Sequence, residues 1–159
     1  MLSAVVFGIG NPLRGDDGLG WQVVDRLAAR PGVEAVTCIQ LVPEHTDLVR
    51  QARRVIFVDI DQRLAPGVSR FVFVRPVESR PGAIGHQLGP AELLGFTRLY
   101  FGTAPSAAWL SGTGGLDLDV GEHLTDLVAA AVPGITAQIE RMLTYWAQCD
   151  ALDRSVPAR

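Results

Sequence analysis

Three side chains in this 159-residue sequence have the type and placing to do chemistry: Asp17, Asp59 and His86. Two carboxylates and an imidazole can hold a divalent transition metal, and three protein ligands leave coordination positions open for water or for donor groups of a substrate. Taken singly, each has a plainer explanation. Asp17 can cap a helix, Asp59 can accept backbone hydrogen bonds at a strand end, and His86 can be a polar loop residue. Spacing along the chain does not bring the three together, so the elements that carry them must.

The apolar, β-branched run 4–7 ends at Gly8 and Gly10, which predicts a buried strand entering a tight loop. Leu19, Val23, Leu27 and Ala28 then recur at helical spacing. They predict a helix over 19–30, with Asp16 and Asp17 where a cap and a first-turn acid belong. A second strand is expected over 33–41, a short helix over 46–53 and a third strand over 54–60. The third is almost continuously apolar, as strands are in a sheet covered on both faces. After a turn at 65–67 the pattern predicts a fourth strand over 71–74, a loop at 81–85 and a helix over 90–100. A fifth strand over 107–110, a glycine-rich loop at 111–115 and two helices over 121–131 and 135–148 complete the chain.

This alternation predicts a three-layer α/β/α sandwich around a central, mainly parallel five-stranded sheet. One domain is expected over 1–150, with a C-terminal tail over 151–159. Functional groups in such sheets gather where loops leave the C-terminal ends of the strands. Asp17 follows the first strand, Asp59 closes the third, and His86 lies in the loop after the fourth. All three can converge on one edge of the sheet.

Composition narrows the classes of function. A net charge of −3 with scattered arginines offers a polyanion no attractive surface, so nucleic acid is not an expected partner. The first residues lack the basic region and cleavage site of a signal peptide, and no apolar run approaches the roughly 20 residues that span a bilayer. A cytoplasmic protein without a membrane partner is therefore expected. Cys38 and Cys149 form neither a CxxC pair nor a metal knuckle and read as incidental thiols. The Gly8-x-Gly10 loop invites a nucleotide, but Leu13 stands where a third small residue is needed, and Asp16 and Asp17 would repel a pyrophosphate. There is no P-loop and no GxSxG elbow.

The segment from Gly8 to Gly20, GIGNPLRGDDGLG, resembles the N-terminal signature of the hydrogenase maturation proteases. Two further pieces agree in order: Val58–Asp59–Ile60–Asp61 followed by Ala65–Pro66–Gly67, and Gly85–His86–Gln87–Leu88–Gly89 running into Ala91–Glu92–Leu93–Leu94. The resemblance covers roughly the first two-thirds of the chain. It implies a phosphorylase/hydrolase-like sandwich and an endopeptidase that removes the C-terminal extension of a NiFe hydrogenase large-subunit precursor after nickel insertion. It also implies that Asp17, Asp59 and His86 are the catalytic, metal-contacting residues. Many members of that family carry Glu at the position of Asp17, a longer side chain with the same ligand chemistry. Nickel would arrive on the precursor, held by its cysteine thiolates, with no organic cofactor, and the chain would act as a monomer. Asp16 and Asp61 are weaker candidates, better suited to capping or turning the chain, and His45 and His123 have no place in the family's site. The stretches 42–46 and 111–115 depart from the family pattern and suggest altered substrate recognition. The competing readings are a nucleotide-using α/β enzyme and a non-catalytic nickel or hydrogenase assembly factor.

Overall fold

The computed structural model describes residues 1–78 and 88–155. Five strands, β1 (Ala4–Ile9), β2 (Val33–Cys38), β3 (Arg54–Ile60), β4 (Ser69–Phe73) and β5 (Ala107–Thr113), form one sheet in the order β2-β1-β3-β5-β4. β1 pairs in parallel with β2 and β3, and β3 in parallel with β5, while β4 runs antiparallel on the edge. Among the described residues four α-helices accompany them: α1 (Leu19–Val24), α2 (His45–Val49), α3 (Pro90–Phe101) and α4 (Asp126–Ser155).

Strand alternation divides the core in two. Ala4 and Val6 of β1, with Ile56 and Val58 of β3, face α1 and α4 and pack with Leu19, Val23, Val132, Ile139 and Leu143. Val5, Phe7 and Ile9, with Val55 and Phe57, face α2 and α3 and pack with Val49, Leu93 and Leu94. The two sides together make the α/β/α sandwich that the strand–helix alternation predicts.

Several local readings change: the helix expected over 19–30 ends at Val24. Residues 111–113 are not loop. They extend β5, because Ser111, Gly112 and Thr113 pair with both Val58–Ile60 and the antiparallel β4. The two helices expected over 121–131 and 135–148 are one: α4 passes through Pro133. Val128, Val132, Ile135, Ile139, Leu143 and Trp146 form an unbroken apolar stripe on its buried face, while Pro133 sits on the exposed face. Burying six large apolar groups outweighs the single backbone hydrogen bond that a proline removes. α4 also runs on to Ser155, so the first five residues of the expected tail are helical; 156–159 lie outside the described residues.

Two glycines set how close α1 comes to the sheet. A Cβ on Gly8 would lie 2.2 Å from the Gly20 carbonyl oxygen, and one on Gly20 would lie 2.5 Å from the Ile9 nitrogen and 2.7 Å from the Val58 oxygen. The helix therefore rests backbone on backbone against β1 and β3, which draws the preceding turn, Gly15–Gly18, down onto the strand ends.

Candidate active site

Asp17 lies in that turn. Its backbone N–H donates to the Arg14 carbonyl at 3.0 Å, and its Oδ2 accepts the Asn11 N–H at 2.7 Å. Asn11 shapes the loop in turn, its Oδ1 accepting the Leu13 N–H at 2.9 Å. Gly10 makes this geometry possible. Its φ is +128°, and a Cβ there would fall 1.9 Å from the Asp17 carbonyl oxygen. Only glycine meets both demands.

Asp59 reaches the same place along β3. Gly8 of β1 pairs with Val58, so the end of β3 stands beside the start of the Asp17 loop. The Asp59 Oδ1 accepts the N–H of Ile60 at 2.7 Å. Burial, with added repulsion from Asp17 and Asp61, outweighs that bond and pushes the Asp59 carboxyl up to about 7. Asp17 and Asp59 line one open cleft of about 450 Å³ together with Asn11, Arg14, Gln40 and Pro90. The third expected ligand, His86, lies outside the described residues. Leu88, two positions on, bridges to Leu41, and both line the cleft. Among the described residues no group of three or more His, Cys, Asp or Glu side chains gathers as a metal site would need.

The secondary candidates have other work. Asp16 is fully buried and accepts from the N–H groups of Leu116, Asp117 and Thr125 at 2.8, 3.0 and 2.7 Å, and from the Thr125 hydroxyl. Burial alone would raise its pKa; these donors more than offset it and hold the carboxyl below its ordinary value. Asp61 pairs with Arg63 at 2.8 Å and Arg70 at 3.0 Å, and the hydrogen bond from Arg63 leads in holding it well below the usual carboxylate range. His45 begins α2, accepts the Val42 N–H on Nδ1 at 3.1 Å and packs its ring 5.2 Å from that of Phe7. His123 is exposed ahead of α4. Cys38 and Cys149 are free thiols; burial, helped by the charge of Asp59, pushes the Cys38 thiol up to about 11.

Arg14 and the segment 39–41 also border the cleft without having been singled out in the sequence. Arg14 had a signal available, being a cation inside the glycine loop. Ile39, Gln40 and Leu41 had none, because they reach the site only through the pairing of β2 with β1. The loop also speaks against a nucleotide. The Asn11 N–H that could cradle a phosphate is already given to the carboxylate of Asp17.

Neither a protein-family model nor a curated protein matches the sequence. Solved structures do match in fold. The hydrogenase maturating endopeptidase HybD from E. coli shares 24% identity over 91% of this chain and 93% of its own, with a TM-score of 0.76. A hydrogenase 2 maturation peptidase from a Thaumarchaeota archaeon shares 25% over 89% and 97%, with a TM-score of 0.65. The NiFe hydrogenase maturation protease HycI from Thermococcus kodakarensis shares 22% over 89% and 92%, with a TM-score of 0.68.

Proposed function

The chain has the fold of the hydrogenase maturation endopeptidases, and from that premise we propose that it is a peptidase that removes the C-terminal extension of a NiFe hydrogenase large-subunit precursor once nickel is in place. The observation that carries this reading is the meeting of Asp17 and Asp59 in one open cleft at the C-terminal edge of the sheet. Nickel belongs to the substrate: thiolates of the precursor hold it, and Asp17, Asp59 and His86 supply oxygen and nitrogen donors that complete its coordination. A precursor without nickel lacks the feature that docks it. Cleavage is thereby coupled to correct metal loading.

Hydrolysis adds water across the scissile amide: a C–O bond forms, the C–N bond breaks and a proton passes to the leaving amine. Held there, the substrate's nickel would supply Lewis-acid polarisation of the scissile carbonyl. The chain works as a cytoplasmic monomer in this reading; among the described residues no helix is long and apolar enough to cross a membrane.

The test is to incubate the purified chain with nickel-loaded and nickel-free precursor and follow the precursor by intact mass spectrometry. Loss of a C-terminal peptide from the loaded sample alone is the expected result. Asp17→Asn, Asp59→Asn and His86→Ala each lower that cleavage by more than about a hundredfold. Binding without cleavage by the wild-type chain would establish a non-catalytic assembly factor instead, and cleavage of both precursors would remove nickel from the recognition.

A further inference from the structure

The loop between β5 and α4 is held more firmly than its surface position requires. The Gly15 N–H donates to the Gly121 oxygen at 2.8 Å, the Gly121 N–H to Leu13 at 2.9 Å and the Asp16 N–H to Asp117 at 2.8 Å. Asp16 receives the N–H groups of Leu116 and Asp117 in return. Arg14, which lines the cleft, donates from Nε to the Leu118 oxygen at 3.1 Å. The loop is therefore fixed to the segment 13–16, whose Arg14 and neighbours Asn11 and Asp17 line the cleft.

Its side chains face the other way in hydropathy. Leu116 is 60% exposed, Val120 94%, and Leu13, on the strand-like partner of Gly121, 57%. Within the cleft itself, Ile39 is 61% exposed. A backbone fixed by six hydrogen bonds that leaves apolar groups in water gains nothing for folding from those groups. A polypeptide lying in the cleft would cover them at little entropic cost, because the loop is already ordered.

We infer that the 116–121 loop is a substrate-reading wall, and that Leu116 and Val120, with Leu13, receive apolar side chains of the precursor polypeptide next to the bond that is cut. This rests on the peptidase reading above for the identity of the polypeptide. It moves the specificity expected of 111–115 a few residues downstream. Ser111, Gly112 and Thr113 are buried within the sheet, where a substrate does not reach, while 116–121 carries the exposed side chains.

The double variant Leu116→Ser/Val120→Ser alters exposed positions and leaves every backbone bond of the loop in place. With nickel-loaded precursor it is expected to raise KM at least tenfold, with kcat at saturation and Tm unchanged. Hydrogen exchange at the 116–121 amides of the wild-type chain is expected to slow further when precursor is added. An unchanged KM, or amides that precursor leaves unshielded, overturns the inference while leaving the peptidase reading intact. Shielded amides without any cleavage have the opposite meaning: the loop contacts the precursor, and the peptidase reading fails.

Discussion

Burial, with the negative charge of Asp17 behind it, raises the pKa of Asp59. The two carboxylates line one cleft, Asp59 from the end of β3 and Asp17 from the turn before α1, and the charge of Asp17 adds to burial in pushing Asp59 up to about 7, against the Ile60 N–H that favours its anion. Asp59 is therefore able to hold a proton near neutral pH.

That raised value has a signature in stability. Unfolded, Asp59 releases its proton near its ordinary value of 3.8; folded, it keeps it to about 7. Its favourable contribution is complete below the unfolded pKa and is lost as pH rises through the folded one. Asp59→Asn, which keeps the shape and removes the charge, is expected to stabilise the metal-free chain by about 1–3 kcal/mol at pH 8 and by nothing measurable at pH 4. Urea midpoints at the two pH values check this; an equal gain at both would dissociate the effect from ionisation.

Gly10→Ala should damage fold and site together. The new Cβ would sit on the Asp17 carbonyl in a conformation that L side chains rarely adopt, at a cost of about 3 kcal/mol or more. Processing is expected to fall even at temperatures where the variant remains folded, because relief of the clash displaces Asp17. Circular dichroism melts alongside cleavage assays separate the two losses, and a variant with wild-type activity when folded would show that the loop tolerates the shift.

At the opposite edge of the sheet, buried Asp150 accepts from Ser3 at 2.6 Å and from Arg53 and Arg54 at 2.9 and 2.8 Å. Asp150→Ala strands the largely buried Arg54 guanidinium and is expected to cost about 3 kcal/mol, with cleavage by the folded fraction unchanged. The hydrogen bond from Arg54 leads in holding Asp150 at about 2. Its stabilisation is present above the unfolded pKa and disappears as pH falls towards 2, so the gap between wild type and variant should close in acid. A gap that persists at pH 2 would assign the loss to packing.

Gly134 occupies an exposed position inside α4, where a Cβ meets nothing within 4 Å. Gly134→Ala is expected to add about 1 kcal/mol by reducing the freedom of the unfolded chain, without changing cleavage. A thermal melt is sufficient to check it.

What could be read in the sequence was what depends on neighbours in the chain. The apolar run 54–60 coincides with β3, and the glycine loop ahead of Asp17 lies where its spacing puts it. The errors lie where distant partners decide. Ser111–Gly112–Thr113 has loop composition, yet strands on both sides pair with it, and the missing Cβ of Gly112 gives room to Asp61, 3.1 Å from where that atom would stand. Pro133–Gly134 reads as a helix break, but the apolar stripe on either side belongs to one buried face. The role of Asp16 was out of reach, since its donors Leu116, Asp117 and Thr125 lie 100 to 109 residues away. The convergence of Asp17 and Asp59 was predicted from strand ends and is present in the cleft.

The Ser3–Asp150 hydrogen bond joins positions 147 residues apart, and α4 covers the face of β1 and β3 that α1 leaves open. During synthesis, therefore, β1 emerges first but has no finished surroundings until the final helix clears the ribosome. A nascent chain stalled anywhere before residue 128 would leave Val6, Ile56 and Val58 without the apolar stripe of α4, so this face of the sheet is completed only after translation has nearly finished.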